Sequence, residues 1–184
     1  MNKFLINTKR DFNKTHEFHL TKLSFMNLFK RWIPSLIFLP LIIWLVTNRG
    51  NYTWIDNADL VIHEAGHFFF FIFGKFIYTL GGTLMQILLP SLIIWYFWRN
   101  SYRTGTQVGL LWLGQNFINI SVYAADARAK ALPLLGGNKV YHDWEYILGT
   151  LNLLQYDAEV GYMFFGIAII IFIVTLVLPL FFHE

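Results

Sequence analysis

The chain has 184 residues, of which 56% are hydrophobic, 19% aromatic and 14% charged, with a formal net charge of +3 and no cysteine. Soluble domains carry about 25% charged residues, so this composition excludes an ordinary soluble enzyme, and the missing cysteines exclude a disulfide scaffold. The positive excess is small, and we expect no nucleic-acid partner. Because thiols are absent, any metal ion has to be bound by His, Asp or Glu.

The chain begins with a polar stretch, residues 1–31, which holds seven of the 14 Lys and Arg and is predicted to be a cytoplasmic tail. Five apolar segments follow, near residues 32–48, 55–75, 77–98, 106–126 and 160–182. Each approaches the roughly 20 apolar residues that cross a hydrocarbon core. The loop 127–159 is predicted to contain a short helix. These features predict an all-α fold, a polytopic membrane helix bundle with about five transmembrane helices and one membrane domain, 32–184.

Charge placement predicts how this bundle lies in the bilayer. If five segments cross in alternation from an inner N-terminus, eleven of the 14 Lys and Arg fall on the inner side. The outer side then receives only Arg49, Arg99 and Arg103. Because cytoplasmic loops are enriched in Lys and Arg, we expect an integral protein of a bacterial plasma membrane, with its N-terminus cytoplasmic and its C-terminus outside.

The second apolar segment contains His63-Glu64-Ala65-Gly66-His67, which matches the pattern H-E-x-x-H. On a helix, positions i and i+4 share one face, so both imidazoles can bind the same metal ion. Nitrogen ligands without sulfur fit Zn²⁺. Glu64 lies beside the ion rather than on it, where a carboxylate can take a proton from water. Polar residues inside an apolar helix are costly in lipid and indicate function, and Asp59 is a candidate partner for the second ring nitrogen of His63.

A catalytic zinc site usually has three protein ligands, so one more has to be found. Asp126 is the first candidate, because it ends a polar stripe on the fourth segment with Gln115 and Asn119. The alternatives are His142 and Asp143, provided that the preceding loop folds back into the bundle. Counting along the helices places Asp126 about eight residues, or ~12 Å, away from the level of the histidines, so the choice stays open.

The same stripe supplies candidate substrate donors. The amides of Asn119 and Asn116 can donate to a substrate carbonyl or to the oxyanion that forms from it. Hydrogen bonding between helices is an equally good interpretation of both residues.

These residues resemble the site-2 protease family of intramembrane zinc metallopeptidases, which place HExxH on one membrane helix and an aspartate ligand two helices later. The resemblance implies Zn²⁺ bound by His63, His67 and Asp126, with Glu64 as the catalytic residue. It also implies an endopeptidase that hydrolyses membrane proteins or peptides in or next to the lipid bilayer. The alternative is a non-catalytic metal-binding or scaffold membrane protein, for which Glu64 has no use.

Overall fold

The computed structural model describes residues 29–132 and 142–182, and these two ranges contain six α-helices and no strand. The helices are α1 (Phe29–Thr47), α2 (Trp54–Phe70), α3 (Lys75–Arg99), α4 (Arg103–Ala125), α5 (Asp143–Thr150) and α6 (Asp157–Val177). Single 3₁₀ turns follow α2 and flank α6 on both sides. The predicted all-α class is confirmed. Residues 1–28, 133–141 and 183–184 lie outside the described residues.

Three of the helices in the described ranges are long and apolar enough to cross a membrane, namely α1, α3 and α6 with its flanking turns. Their outer faces carry large apolar side chains, and Ile37, Trp95 and Ile170 are each at least 62% exposed. Such a surface suits lipid better than water. Helix α2 is shorter and α4 is more polar, and neither is among these three helices. Both bury acidic or amide side chains where they meet.

Contacts along α4 give the directions of the helices packed against it. The Gln107 amide donates to the Ser35 hydroxyl and to the Thr175 carbonyl, and the Arg49 guanidinium donates to the Ser121 hydroxyl. Residue numbers therefore rise together, from 35 to 49 along α1 and the connection after it and from 107 to 121 along α4. The two helices are parallel. Helix α6 runs the opposite way, because its start at Gly161 packs against Ser121.

Helix α3 gives the direction of α2. Gln86 donates to Asn119, and it also faces His63, whereas His67 lies beside the Tyr78 carbonyl. Residue numbers rise along α2 as they fall along α3, so these two helices are antiparallel. Since α3 and α4 are joined by a short turn and are also antiparallel, α2 is parallel to α4 and therefore to α1.

The two ends of the bundle consequently differ from the predicted arrangement. Arg31, at the start of α1, donates to the carbonyl of Phe182, and the Trp98 and Phe182 rings pack at 5.0 Å between centroids. We call this the N/C end, and we call the opposite end, with Arg49 and Arg128, the site end. The prediction that the chain ends lie on opposite sides is thus corrected. The alternating scheme failed because the connection after α1 does not reverse the direction of the chain.

Candidate metal centre

Three side chains from two distant segments converge at the site end of the bundle. His63 and His67 lie one turn apart on α2, and Asp143 is the first residue of α5. The Asp143 Oδ2 atom is 2.9 Å from His63 Nε2 and 3.1 Å from His67 Nε2. The three atoms lie within 4.8 Å of one another in a mostly buried position, so the group could hold a metal ion.

A chain of hydrogen bonds that begins at Asp56 orients the His63 ring. The Asp56 carboxylate accepts from the Thr53 backbone and hydroxyl at 2.6 and 2.7 Å, and from Gln115 and Asn119 at 3.1 Å each. Because the Asn119 nitrogen donates to Asp56, its oxygen accepts from the Gln86 nitrogen at 3.0 Å. The Gln86 oxygen then faces His63 Nδ1 at 3.0 Å. An acceptor at that position requires the His63 proton to be on Nδ1.

His67 is fixed in the same way, because its Nδ1 lies 2.8 Å from the Tyr78 carbonyl oxygen. When both rings are neutral, each presents an Nε2 lone pair to the Asp143 carboxylate, so three electron-pair donors converge without a hydrogen among them. Such a group needs a cation or additional protons. Two ligands of a tetrahedral zinc ion lie about 3.3–3.4 Å apart, a few tenths of an ångström more than the 2.9 and 3.1 Å between Asp143 Oδ2 and the two ring nitrogens.

Electrostatics at Asp143 agree with this geometry. In the metal-free protein the additional protons lie on Nε2 of His63 and His67, and the hydrogen bonds that they make outweigh burial and hold the pKa of the Asp143 carboxyl below its ordinary value. The carboxyl is therefore ionised near neutral pH. A negative oxygen between two imidazole nitrogens is a suitable ligand set for a divalent ion.

The position of Asp143 is set by the way in which α5 docks. Trp144, Ile147 and Leu148 of this short helix are buried against α3 and α4. The Asp143 backbone N–H donates to the Tyr123 hydroxyl at 3.2 Å, and His142 caps the helix by accepting from the Glu145 N–H. The helix thus brings its first carboxylate to the histidines of α2. The helix that follows the loop is thus docked on the bundle, as binding of a metal ion by Asp143 requires.

Asp126, the preferred third ligand in the sequence analysis, lies outside the group. Its carboxylate accepts from the backbone N–H groups of Ala131 and Leu132 at 2.9 and 3.0 Å, and it faces His142 Nε2 at 3.4 Å. It therefore holds the turn after α4 rather than facing the histidines. His142 is also outside the group, and burial lowers the pKa of its ring more than Asp126 raises it.

The remaining predicted residues occupy supporting positions. Asn119 belongs to the chain of hydrogen bonds that orients His63, and both its amide atoms are engaged there. Asn116 is fully buried and donates to the Trp112 carbonyl. Asp59 accepts from the Trp112 indole N–H, whereas Gln86 takes the position beside His63 that Asp59 was predicted to occupy.

A cavity of about 330 Å³ opens beside the group. Its walls come from the end of α1, the connection to α2, and α2 and α4, with Glu64, Tyr123 and all three candidate ligands in the lining. Glu64 is exposed, in contrast to the buried His63. The sequence analysis missed Gln86 and Tyr123 as site residues. The signal for Gln86 was a single amide on an otherwise apolar span, and Tyr123 lay one turn before Asp126.

No protein-family model matches the chain, and no match was found among curated proteins or solved structures.

Proposed function

We propose that this chain is a membrane-embedded zinc-dependent endopeptidase that hydrolyses peptide bonds in or next to the bilayer, as its resemblance to the site-2 protease family implies. The observation that carries the proposal is the convergence of His63, His67 and Asp143 at a cavity that Glu64 also lines. The apolar helix surfaces support insertion into a plasma membrane.

The ligand set favours zinc. Two imidazole nitrogens and one carboxylate are a common set at hydrolytic zinc sites, and such sites keep a fourth position for water. Each ring is oriented through its other nitrogen, by Gln86 or by the Tyr78 carbonyl, as is usual for histidine ligands. Zinc bound there would supply a Lewis acid and lower the pKa of a water molecule to about 7.

The roles of the protein groups follow from their positions. Glu64 takes a proton from the water that attacks the scissile carbonyl carbon, and then gives that proton to the leaving amine as the C–N bond breaks. Tyr123 lines the cavity, where its hydroxyl accepts from the Asp143 N–H, and in this proposal it donates its own proton in a hydrogen bond to the carbonyl oxygen. The predicted donors Asn116 and Asn119 are engaged elsewhere.

The Glu64→Gln variant tests this function directly. We expect it to keep its zinc and to lose about 10²- to 10⁴-fold in kcat, because the amide cannot accept the proton from water. The measurement is cleavage of a quenched-fluorescent peptide library by the purified protein in detergent with one equivalent of zinc. Glu159→Gln is the matched control, since Glu159 is an exposed glutamate of α6 outside the cavity lining.

Two results would count against the peptidase. Equal cleavage by Glu64→Gln and wild type would remove Glu64 from the reaction. Zinc binding without any cleavage by the wild-type protein would favour the alternative, a non-catalytic metal-binding membrane protein.

A further inference from the structure

The parallel course of α1 and α2 limits how both can lie in a bilayer. Two successive parallel spans require the connection between them to cross the hydrocarbon core, which is about 30 Å thick. The connection consists of residues 48–53, and six extended residues reach at most ~20 Å. Helix α2 therefore does not cross the membrane from the face at which α1 enters.

The starting point of α2 supports the same conclusion. Asp56 and Asp59, in its first two turns, bond to Gln115 and Trp112 near the middle of α4, whereas Arg49 bonds to Ser121 further towards the site end. The chain thus leaves α1 at the site end, returns to about the middle of the bundle, and then runs along α2 back to the site end.

The backbone of this returning connection faces the cavity. Residues 50–53 are not helical, Gly50 has a φ of +91°, and all four line the 330 Å³ cavity. Non-helical backbone at membrane depth persists only where it is buried in protein or faces a water-filled space, because lipid cannot satisfy its polar groups. The cavity is therefore a water-filled cleft between α1, α2 and α4 that reaches the candidate metal centre.

The orientation of this cleft follows from the chain ends and the charge. The helices α1, α3, α4 and α6 make four crossings, an even number, which agrees with Arg31 bonding to Phe182 at the N/C end. By position in the sequence, nine of the 14 Lys and Arg belong to the N/C end, namely the seven of residues 1–31 with Arg99 and Arg103, whereas five belong to the site end, namely Arg49, Lys75, Arg128, Lys130 and Lys139. The N/C end is therefore the cytoplasmic one.

We propose that α2 is a re-entrant helix, and that the candidate metal centre opens through a water-filled cleft to the extracytoplasmic face. If the proposed peptidase function holds, the substrate is a peptide segment presented at that outer surface. A five-span bundle would instead place His63 and His67 near the middle of the span 55–75, and Lys130 on the cytoplasmic side.

Cysteine labelling tests this topology without interference, because the natural chain has no cysteine. Single variants at Asn51, Asn100 and Lys130 are treated in intact cells with a membrane-impermeant maleimide. We expect Lys130→Cys to be labelled at once and Asn100→Cys only after permeabilisation. The five-span scheme predicts the reverse for these two positions, while Asn51 is outside in both and controls for reagent activity. Labelled Asn100→Cys with protected Lys130→Cys overturns the proposal.

A second pair of variants tests the water in the cleft. Leu60 lines the cavity, whereas the side chain of its neighbour Val61 is 70% exposed and is outside the cavity lining. We expect a small charged methanethiosulfonate added outside cells to modify Leu60→Cys and to leave Val61→Cys unreacted, since thiols in lipid do not ionise. If neither cysteine reacts, the cavity is dry and closed, and the proposal of a water-filled cleft is overturned. Labelling reads accessibility and not cleavage, so it succeeds or fails independently of the peptidase assignment.

Discussion

Replacing Asp143 by asparagine is expected to lower the zinc affinity of the purified protein by at least about 100-fold, whereas Asp126→Asn leaves it near the wild-type value. Loss of a residue that merely supports a ligand typically costs 10- to 100-fold, so loss of a charged ligand costs at least as much. Asp143 Oδ2 lies 2.9 and 3.1 Å from the two histidine nitrogens, while Asp126 bonds to the turn after α4.

The two asparagine variants form a matched pair, because each removes one negative charge and keeps the shape of the side chain. Affinity is measured by competition with a fluorescent zinc chelator in detergent, and circular dichroism checks that both variants keep their helices. His63→Ala and His67→Ala should lose zinc as completely as Asp143→Asn. Zinc loss in Asp126→Asn with retention in Asp143→Asn would restore the ligand set that the sequence first favoured.

The second large effect is expected at the contact between α2 and α3. An added methyl group at Gly66 would lie 2.6 Å from the Gly81 carbonyl carbon and 2.9 Å from the Gly82 Cα, and these are backbone atoms. The two helices would have to separate, and overpacking of this kind costs about 1–3 kcal/mol. We therefore expect Gly66→Ala to lower the midpoint of thermal unfolding in detergent clearly.

Gly166→Ala is the control for helix propensity, because no atom lies within 4 Å of a methyl group added there. Alanine is favoured over glycine inside a helix by roughly 0.5–1 kcal/mol, so this variant should unfold at the same temperature or higher. If Gly66→Ala and Gly166→Ala have the same midpoint of thermal unfolding, α2 and α3 do not pack through Gly66.

Gly82→Ala separates packing from metal binding. A methyl group at Gly82 would lie 2.6 Å from Cδ2 of the His63 ring, which the hydrogen bond from Nδ1 to the Gln86 oxygen holds in place. The ring has to turn away, so zinc affinity should fall more than thermal stability does. Chelator competition and thermal unfolding on the same preparation measure both.

The sequence by itself determined the local features of this protein, namely where the helices lie and which residues share a helix face. Apolar runs placed the helices, because the cost of exposing apolar side chains depends mainly on composition and length. The spacing of His63 and His67 placed both rings on one face, since helical geometry alone puts i and i+4 together. The same pattern placed Glu64 next to the ligand pair, and the exposed Glu64 does line the cavity.

Only the tertiary structure decided which acid meets the histidines and how the helices are directed. Asp126 ends the fourth apolar segment and Asp143 begins the short helix in the loop after it, and the docking of α5 through Trp144 and Leu148 selects between them. That contact joins residues 80 positions apart, which no local pattern encodes. The course of α2 likewise depends on Asp56 bonding to Asn119 of α4, because hydropathy records how apolar a segment is and carries no information about its direction.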